Sequence, residues 1–178
     1  MLVSFRVANF LSFKELQEFS MVAGNDDNLV GHIIHDSIDI LDRAVIFGPN
    51  SAGKTNFIHA MAYAQSIVNW KNKKNTRNIK LFEDMSYNCS SSRNPISYFE
   101  FQILLQEKLY SYGFEYNTLV KSFASEWLSE LNEDGSERVI FKIIHGNDQS
   151  TIADNEEDSS LLKNHNSIDG PFLALSSS

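Results

Sequence analysis

The chain has 178 residues, of which 42 % are hydrophobic and 21 % charged, the composition of an ordinary globular domain with a core of its own. Its formal net charge of −8 at pH 7 argues against a generally basic nucleic-acid-binding surface, although it leaves room for a local basic site. Cys89 is the only cysteine, which excludes an intrachain disulfide and favours a reducing, cytoplasmic compartment. No apolar run reaches the roughly 18 residues of a membrane span, so no membrane partner is expected.

The N-terminal part of the sequence predicts short strands joined by turns. Val3, Phe5 and Val7 alternate with other residues, which is the period of a strand with one buried face. The predicted order is then a turn at 9–13, a strand at 16–22, a loop at 23–32, and a short strand with a turn at 33–41.

Residues 48–55, Gly-Pro-Asn-Ser-Ala-Gly-Lys-Thr, have the Walker A spacing G-x-x-x-x-G-K-[ST] of a phosphate-binding loop. The apolar run at 44–47 before them predicts a buried parallel strand. After them, apolar residues at helical spacing predict a helix over 56–70. Strand, glycine-bearing loop and helix in this order are the context that the motif requires. The sequence therefore predicts a nucleotide-binding P-loop.

The residue types of this loop suit a polyphosphate. Gly48 and Gly53 let the backbone turn tightly and approach a ligand with no Cβ in the way. The loop N–H groups and the positive end of the helix converge on one place. Lys54 can reach the terminal phosphates, and the Thr55 hydroxyl can complete the shell of a Mg²⁺ ion.

Two charged stretches leave alternatives open. The basic stretch 71–77 suits the C-terminal end of the predicted helix, and it could instead contact nucleic-acid phosphates. The acidic stretch 154–158 suits a solvated loop, and it could instead bind a metal ion.

From residue 96 onward, the pattern changes to a two-residue period that predicts an antiparallel β-meander of about four strands over 96–146. Its aromatic residues are interpreted as sheet core rather than as a surface for stacking bases. Glu126 falls in one of these strands and is interpreted as structural rather than catalytic.

The motif L-x-x-F-x-V-x-N-F-x-S-F over residues 2–13, together with G-P-N-S-A-G-K-T-N over 48–56, resembles the N-terminal lobe of ABC-type ATPases related to SMC and RecF. Within that group the chain most resembles OLD-like and AAA-type "ATP-binding" proteins of bacterial antiphage defence systems. The stretches Y-x-Y-G-F-E at 110–115, S-E-W-L-x-E at 125–130 and V-I-F at 139–141 are similar to the β-meander of those proteins.

This resemblance implies an α/β fold, that of a P-loop NTPase, with a mixed sheet, an antiparallel β-meander, and ATP with Mg²⁺ as the ligand. It implies that Lys54 binds the β and γ phosphates, Thr55 the Mg²⁺ and Asn56 the α phosphate, that Asn50 lies beside the γ phosphate, and that the turn at 9–13 lies near the adenine or ribose. The residues expected to bind the nucleotide are Gly48, Asn50, Ser51, Ala52, Gly53, Lys54, Thr55 and Asn56, with Thr55 on the metal.

The sequence departs from the family in two motifs. No run of four apolar residues followed by Asp-Glu, the Walker B pattern, occurs after Thr55, and no Ser-Gly-Gly signature segment is present. Family members carry both in their C-terminal half. We therefore expect a single incomplete ATPase lobe over 1–178, with a P-loop core at 1–75, the β-meander at 96–146, and a polar segment at 147–178 that leads into a missing half.

Three functions are compatible with these features. The first is an ABC-type ATPase lobe that couples ATP binding and hydrolysis to a DNA-related or antiphage activity, as a homodimer or larger assembly. The second is a nucleotide-dependent binding module without turnover, in which ATP orders the lobe and the β-meander is the contact surface for an effector protein or nucleic acid. The third, a small P-loop kinase, is disfavoured because the arginines after the loop are scattered. The catalytic residue stays unknown.

Overall fold

The structure, a computed structural model, describes residues 1–24, 32–34, 38–69, 94–146, 151–152 and 171. Its elements are β1 (Leu2–Ala8), β2 (Gln17–Ser20), β3 (Ile33–Ile34), β4 (Ile40–Leu41), α1 (Lys54–Val68), β5 (Ile96–Leu105), β6 (Lys108–Asn117), β7 (Ser122–Leu131), β8 (Glu137–Ile144) and β9 (Thr151–Ile152). The basic stretch 71–77, the acidic stretch 154–158 and Cys89 lie outside the described residues.

In the described part of the chain, seven strands form one antiparallel sheet in the order β2-β1-β5-β6-β7-β8-β9, and β3 pairs with β4. Strands β5 to β8 follow one another along the chain and pair in sequence order. They are the predicted β-meander at 96–146, which is confirmed. Strand β1 joins this meander beside β5, with Phe5 opposite Phe101 and Val7 opposite Phe99.

Helix α1 covers one face of the sheet. It buries Ala60, Tyr63, Ala64 and Ile67, whose spacing places them on a single helix face. The Tyr63 ring packs against Phe99 of β5 at a centroid distance of 5.8 Å. Most aromatic residues of the meander are therefore sheet core, as predicted, whereas Tyr98, Tyr110 and Trp127 are only partly buried and lie outside this core. The buried aromatic members of this core are Phe5, Phe10, Tyr63, Phe99, Tyr112, Phe114, Tyr116, Phe123 and Phe141.

The predicted buried parallel strand at 44–47 is wrong. Residues 43–49 form no strand, and Val45, Ile46 and Phe47 are 69 %, 40 % and 88 % exposed. A strand exists only where neighbouring backbone supplies its ladder of hydrogen bonds, and no described residue bonds to the backbone of 44–47. Every strand pair in the described sheets is antiparallel, so the predicted mixed sheet is wrong for this part of the chain.

Other boundaries differ by a few residues. The helix predicted over 56–70 begins earlier, at Lys54, and ends at Val68. The second strand, predicted over 16–22, is Gln17–Ser20. No helix in the described ranges is long and apolar enough to cross a membrane.

Candidate nucleotide-binding site

Helix α1 begins directly after Gly53, whose backbone lies in the left-handed region at φ 88° and ψ 2°. Glycine adopts this conformation without strain, whereas a residue with a side chain would pay roughly 1–2 kcal/mol. No side chain caps the N-terminus of α1, and its first turn contains no acidic residue. The N–H groups of that turn, at the positive end of the helix dipole, therefore remain available to an anion.

The loop before α1 folds back on itself. The Ala52 N–H donates to the Pro49 carbonyl oxygen at 3.3 Å, and Ser51 has a left-handed φ of 65°. Lys54 Nζ donates to the carbonyl oxygens of Gly48 and Pro49, each at 2.6 Å. Phosphate oxygens carry charge and accept stronger hydrogen bonds than neutral carbonyls do. A polyphosphate that enters the loop can therefore take the Lys54 ammonium from these two carbonyls.

The turn between β1 and β2, at residues 9–13, lies against the loop. A Cβ on Gly53 would lie 3.3 Å from Ser12 Oγ, so the glycine also makes room for the turn. Asn56 Nδ2 donates to Ser12 Oγ at 2.9 Å, although the two residues are 44 positions apart in the chain. The structure thus brings together Ser12, Gly53 and Asn56. Contact of this turn with adenine or ribose stays a prediction.

This β1–β2 turn is anchored to both the helix and the sheet. Phe10 is fully buried, and its ring packs against Tyr63 of α1 at a centroid distance of 5.0 Å. Asn9 Nδ2 donates to the carbonyl oxygen of Ile96, at the start of β5, at 2.7 Å. The sequence predicted the turn but not the Ser12 contact, for which the N-F-x-S-F motif at 9–13 was the available signal.

Comparison with known protein families identifies the class of the domain. Residues 43–177 match the AAA_21 family model, described as "AAA domain, putative AbiEii toxin, Type IV TA system". The chain belongs to the AAA_21 family. The match begins just before the loop and takes in α1 and the meander, and it supports an ATPase-type domain of the α/β nucleotide-binding class. A search of curated proteins finds no match.

Domains of the AAA type bind nucleotides, usually with Mg²⁺. In this AAA_21 domain, Thr55 is exposed in the first turn of α1, and its hydroxyl has no partner among the described residues. Those residues contain no group of three or more His, Cys, Asp or Glu that could hold a metal ion. Mg²⁺ commonly keeps water and binds substrate phosphates besides one or two protein oxygens. Thr55 beside an open loop fits an ion that arrives with the nucleotide.

The other predicted site residues lie in the same loop. Gly48, Asn50, Ser51 and Ala52 are exposed, whereas Gly53, Lys54 and Asn56 are partly buried. The structure therefore places all eight residues together at the start of α1, and their contacts with a nucleotide stay predictions.

Glu126 lies away from this loop, in the core of the AAA_21 domain. It is fully buried in β7, opposite Phe114, and Tyr112 Oη donates to its Oε1 at 3.0 Å. Burial, with the nearby Glu126 charge, raises the pKa of Tyr112 well above its ordinary value. A carboxylate enclosed in this way has no access to a water molecule on a nucleotide, which favours the structural interpretation. No described carboxylate contacts Lys54 or Thr55, so the catalytic acid stays unassigned.

Proposed function

We propose that this chain is the ATP-binding N-terminal lobe of an ABC-type ATPase of the SMC, RecF and OLD-like group. The observation that carries the proposal is the uncapped N-terminus of α1 behind a left-handed Gly53, with Lys54 Nζ held across the loop by two carbonyl oxygens. Such a loop favours a polyphosphate. The choice of ATP over GTP rests on the resemblance, since the sequence has no guanine-reading Asn-Lys-x-Asp.

Each residue of the loop has a distinct task in this proposal. Lys54 exchanges its two carbonyl partners for phosphate oxygens, and the N–H groups of the first turn of α1 donate to the same anion. Thr55 supplies a hydroxyl to the metal. When bound there, Mg²⁺ would supply positive charge that offsets the negative charge of the phosphates. Water must then be excluded by a surface that covers the loop, because its residues 48–52 are exposed.

We infer that hydrolysis needs an acid from outside residues 1–178. The motivating observation is that the sequence has no Walker B pattern after Thr55, and in the described part of the chain no carboxylate contacts Lys54 or Thr55. ATP held between two such lobes, in a homodimer or larger assembly, would drive a DNA-related or antiphage activity in the cytoplasm. The family description names a toxin of a toxin–antitoxin system, which supports a defence setting.

A nucleotide-dependent binding module without turnover is the second candidate. The exposed apolar side chains of Val45, Ile46 and Phe47, directly before the loop, favour it because a partner would cover them. In that case ATP orders the lobe, and an effector protein or nucleic acid docks on the ordered form.

The proposal is tested by calorimetric titration of the 178-residue chain with Mg²⁺ and ATP. We expect binding that Lys54→Ala weakens roughly tenfold or more, because the variant loses charge-assisted contacts to phosphate. Lys142→Ala, which removes an exposed lysine side chain on β8, is the matched control and should bind like the unaltered chain. Equal affinity of the Lys54→Ala variant would contradict the proposal.

Phosphate release separates the two candidates. We expect no steady release from the chain alone, because its catalytic acid is supplied elsewhere. Steady release that begins only when an assembly partner is added to the chain supports the ATPase lobe. Steady release by the chain alone, abolished by Lys54→Ala, would instead show that the acid lies within residues 1–178 and would exclude the module without turnover.

A further inference from the structure

The β1–β2 turn combines backbone strain with firm anchoring. Asn9 and Leu11 both have a left-handed φ of 50°, which is unfavourable for residues with side chains. Phe10 and Phe13 close the turn by exchanging backbone hydrogen bonds at 3.0 and 2.9 Å. Ser97 Oγ donates to the Asn9 carbonyl at 2.7 Å and adds a further anchor from β5. Strained backbone that the surrounding structure holds in place is typical of functional sites.

This strained turn positions the side chain of Ser12 beside the loop. Its Oγ lies where a side chain on Gly53 would otherwise project, and it accepts the hydrogen bond from Asn56 Nδ2. The contact is made at the first turn of α1, by the residue directly after the Walker A motif at 48–55. Ser12 is exposed, so its packing contributes little, and its hydrogen bond is the contact that distinguishes it.

The hydrogen bond to Ser12 fixes the orientation of the Asn56 side-chain amide, which would otherwise rotate freely. One hydrogen of the Asn56 amide is used by Ser12, and the second remains available, as does the proton of the Ser12 hydroxyl. Both donors lie beside the uncapped N-terminus of α1, where an anion is favoured. Orienting them before the ligand arrives removes part of the entropy cost of binding.

We propose that Ser12 is a positioning residue of the nucleotide site, which acts by holding the Asn56 amide in place for the phosphates. This inference rests on the proposed function, because it needs a nucleotide in the loop. The β1–β2 turn lies outside the segment matched by the family model. The inference is that this turn nevertheless affects nucleotide affinity, through the hydrogen bond between Ser12 and Asn56.

The test is a double-mutant cycle on the affinity of the full 178-residue chain for ATP with Mg²⁺, measured by calorimetry. We expect Ser12→Ala to weaken binding roughly three- to tenfold, the usual range for one hydrogen bond. Ser12→Thr keeps the hydroxyl and should restore most of the affinity. In the Asn56→Ala background, Ser12→Ala should have no further effect, because the amide that it positions is gone. Ser20→Ala, which removes another exposed serine hydroxyl on β2, should bind like the unaltered chain.

The outcomes separate this inference from the proposed function. If the unaltered chain binds no ATP, the proposed function fails and the role of Ser12 fails with it. If the unaltered chain binds and Ser12→Ala binds equally well, the inference alone is overturned. An undiminished effect of Ser12→Ala in the Asn56→Ala background would also overturn it, since Ser12 would then act by another route. Thermal melting of each variant identifies any loss of affinity that comes from unfolding.

Discussion

Trp127 of β7 covers Gly113, the residue opposite it on β6, so closely that a Cβ on Gly113 would lie 2.3 Å from Trp127 Cζ2. The indole also meets the ring of Tyr98 on β5, at a centroid distance of 5.5 Å. The two rings reach each other across β6, and they can do so because β6 carries no side chain at position 113. This contact joins three strands on the face of the sheet opposite to α1.

Gly113→Ala should therefore destabilise the domain. The added methyl group overlaps with the indole, which must move from its place, and overpacking of this kind costs roughly 1–3 kcal/mol. Urea unfolding measures the loss. Gly24→Ala is the matched control, because a Cβ there meets nothing within 4 Å. Equal stability of the two variants would show that the indole moves aside without cost.

The buried tyrosines should make the fold sensitive to alkali. Burial raises the pKa of Tyr116 to about 12, and it raises those of Tyr63, Tyr98 and Tyr112 as well. Unfolded tyrosines ionise near pH 10, so above that pH the unfolded state releases protons that the folded state keeps. The stabilisation is fully present below about pH 10 and is lost as the pH rises toward 12.

Tyr116→Phe tests this pH dependence. The phenylalanine ring keeps the packing against Phe123 but has no proton to release. The free energy of unfolding of the variant should therefore fall less steeply between pH 10 and pH 12 than that of the unaltered protein. Urea unfolding at several pH values measures the slope. Parallel curves for the two proteins would mean that Tyr116 ionises alike in the folded and unfolded states.

The β5–β6 hairpin should be stabilised by a glycine. Its two turn residues, Gln106 and Glu107, have left-handed φ values of 51° and 63°, for which Asn-Gly is the preferred sequence. Glu107→Gly relieves roughly 1–2 kcal/mol of backbone strain and adds at most about 1 kcal/mol of chain entropy cost. We expect the melting temperature to rise by about 2–4 °C. Glu133→Gly, in the β7–β8 turn but without a left-handed φ, should lower it.

Removal of Mg²⁺ should reveal the role of Thr55. We expect EDTA to weaken ATP binding by the unaltered chain roughly tenfold, since the metal then no longer joins the phosphates to the protein. Thr55→Ala should bind ATP with nearly the same affinity with and without Mg²⁺, whereas Thr55→Ser keeps the hydroxyl and the dependence. Calorimetric titration with ATP, in a buffer with Mg²⁺ and in a buffer with EDTA, measures the affinity of each variant. A full Mg²⁺ effect in Thr55→Ala would place the metal on other ligands.

The sequence predicted best where structure depends on neighbours in the chain. Strands β5 to β8 follow from alternation and turns because each strand pairs with the next one, as in the register of Leu105 with Lys108 around the β5–β6 turn. The spacing of the Walker A motif likewise predicted a helix directly after the loop, over 56–70, and α1 begins only two residues earlier, at Lys54. Both patterns involve residues close together in the chain, and each one is typical of a single backbone geometry.

Prediction failed where structure depends on distant partners. The apolar run at 44–47 indicates that its side chains favour burial, but it does not say which backbone would lie beside them, and in this structure Phe47 faces solvent. Ser12 and Asn56 are 44 positions apart, and no periodicity relates them. Their hydrogen bond follows from the entry of β1 beside β5, a pairing that the alternation of β1 leaves open.

From the exposed apolar segment 44–47 we expect a link between ligand affinity and protein concentration. Exposed apolar side chains such as Phe47 favour association of chains as the protein concentration rises. We expect association that covers this segment to hold the backbone that enters the loop at Gly48 in place. A ligand bound more tightly by the associated form must in turn promote association, because the two equilibria are linked. Titrations at dilute and at concentrated protein should then yield different ATP affinities for the same chain.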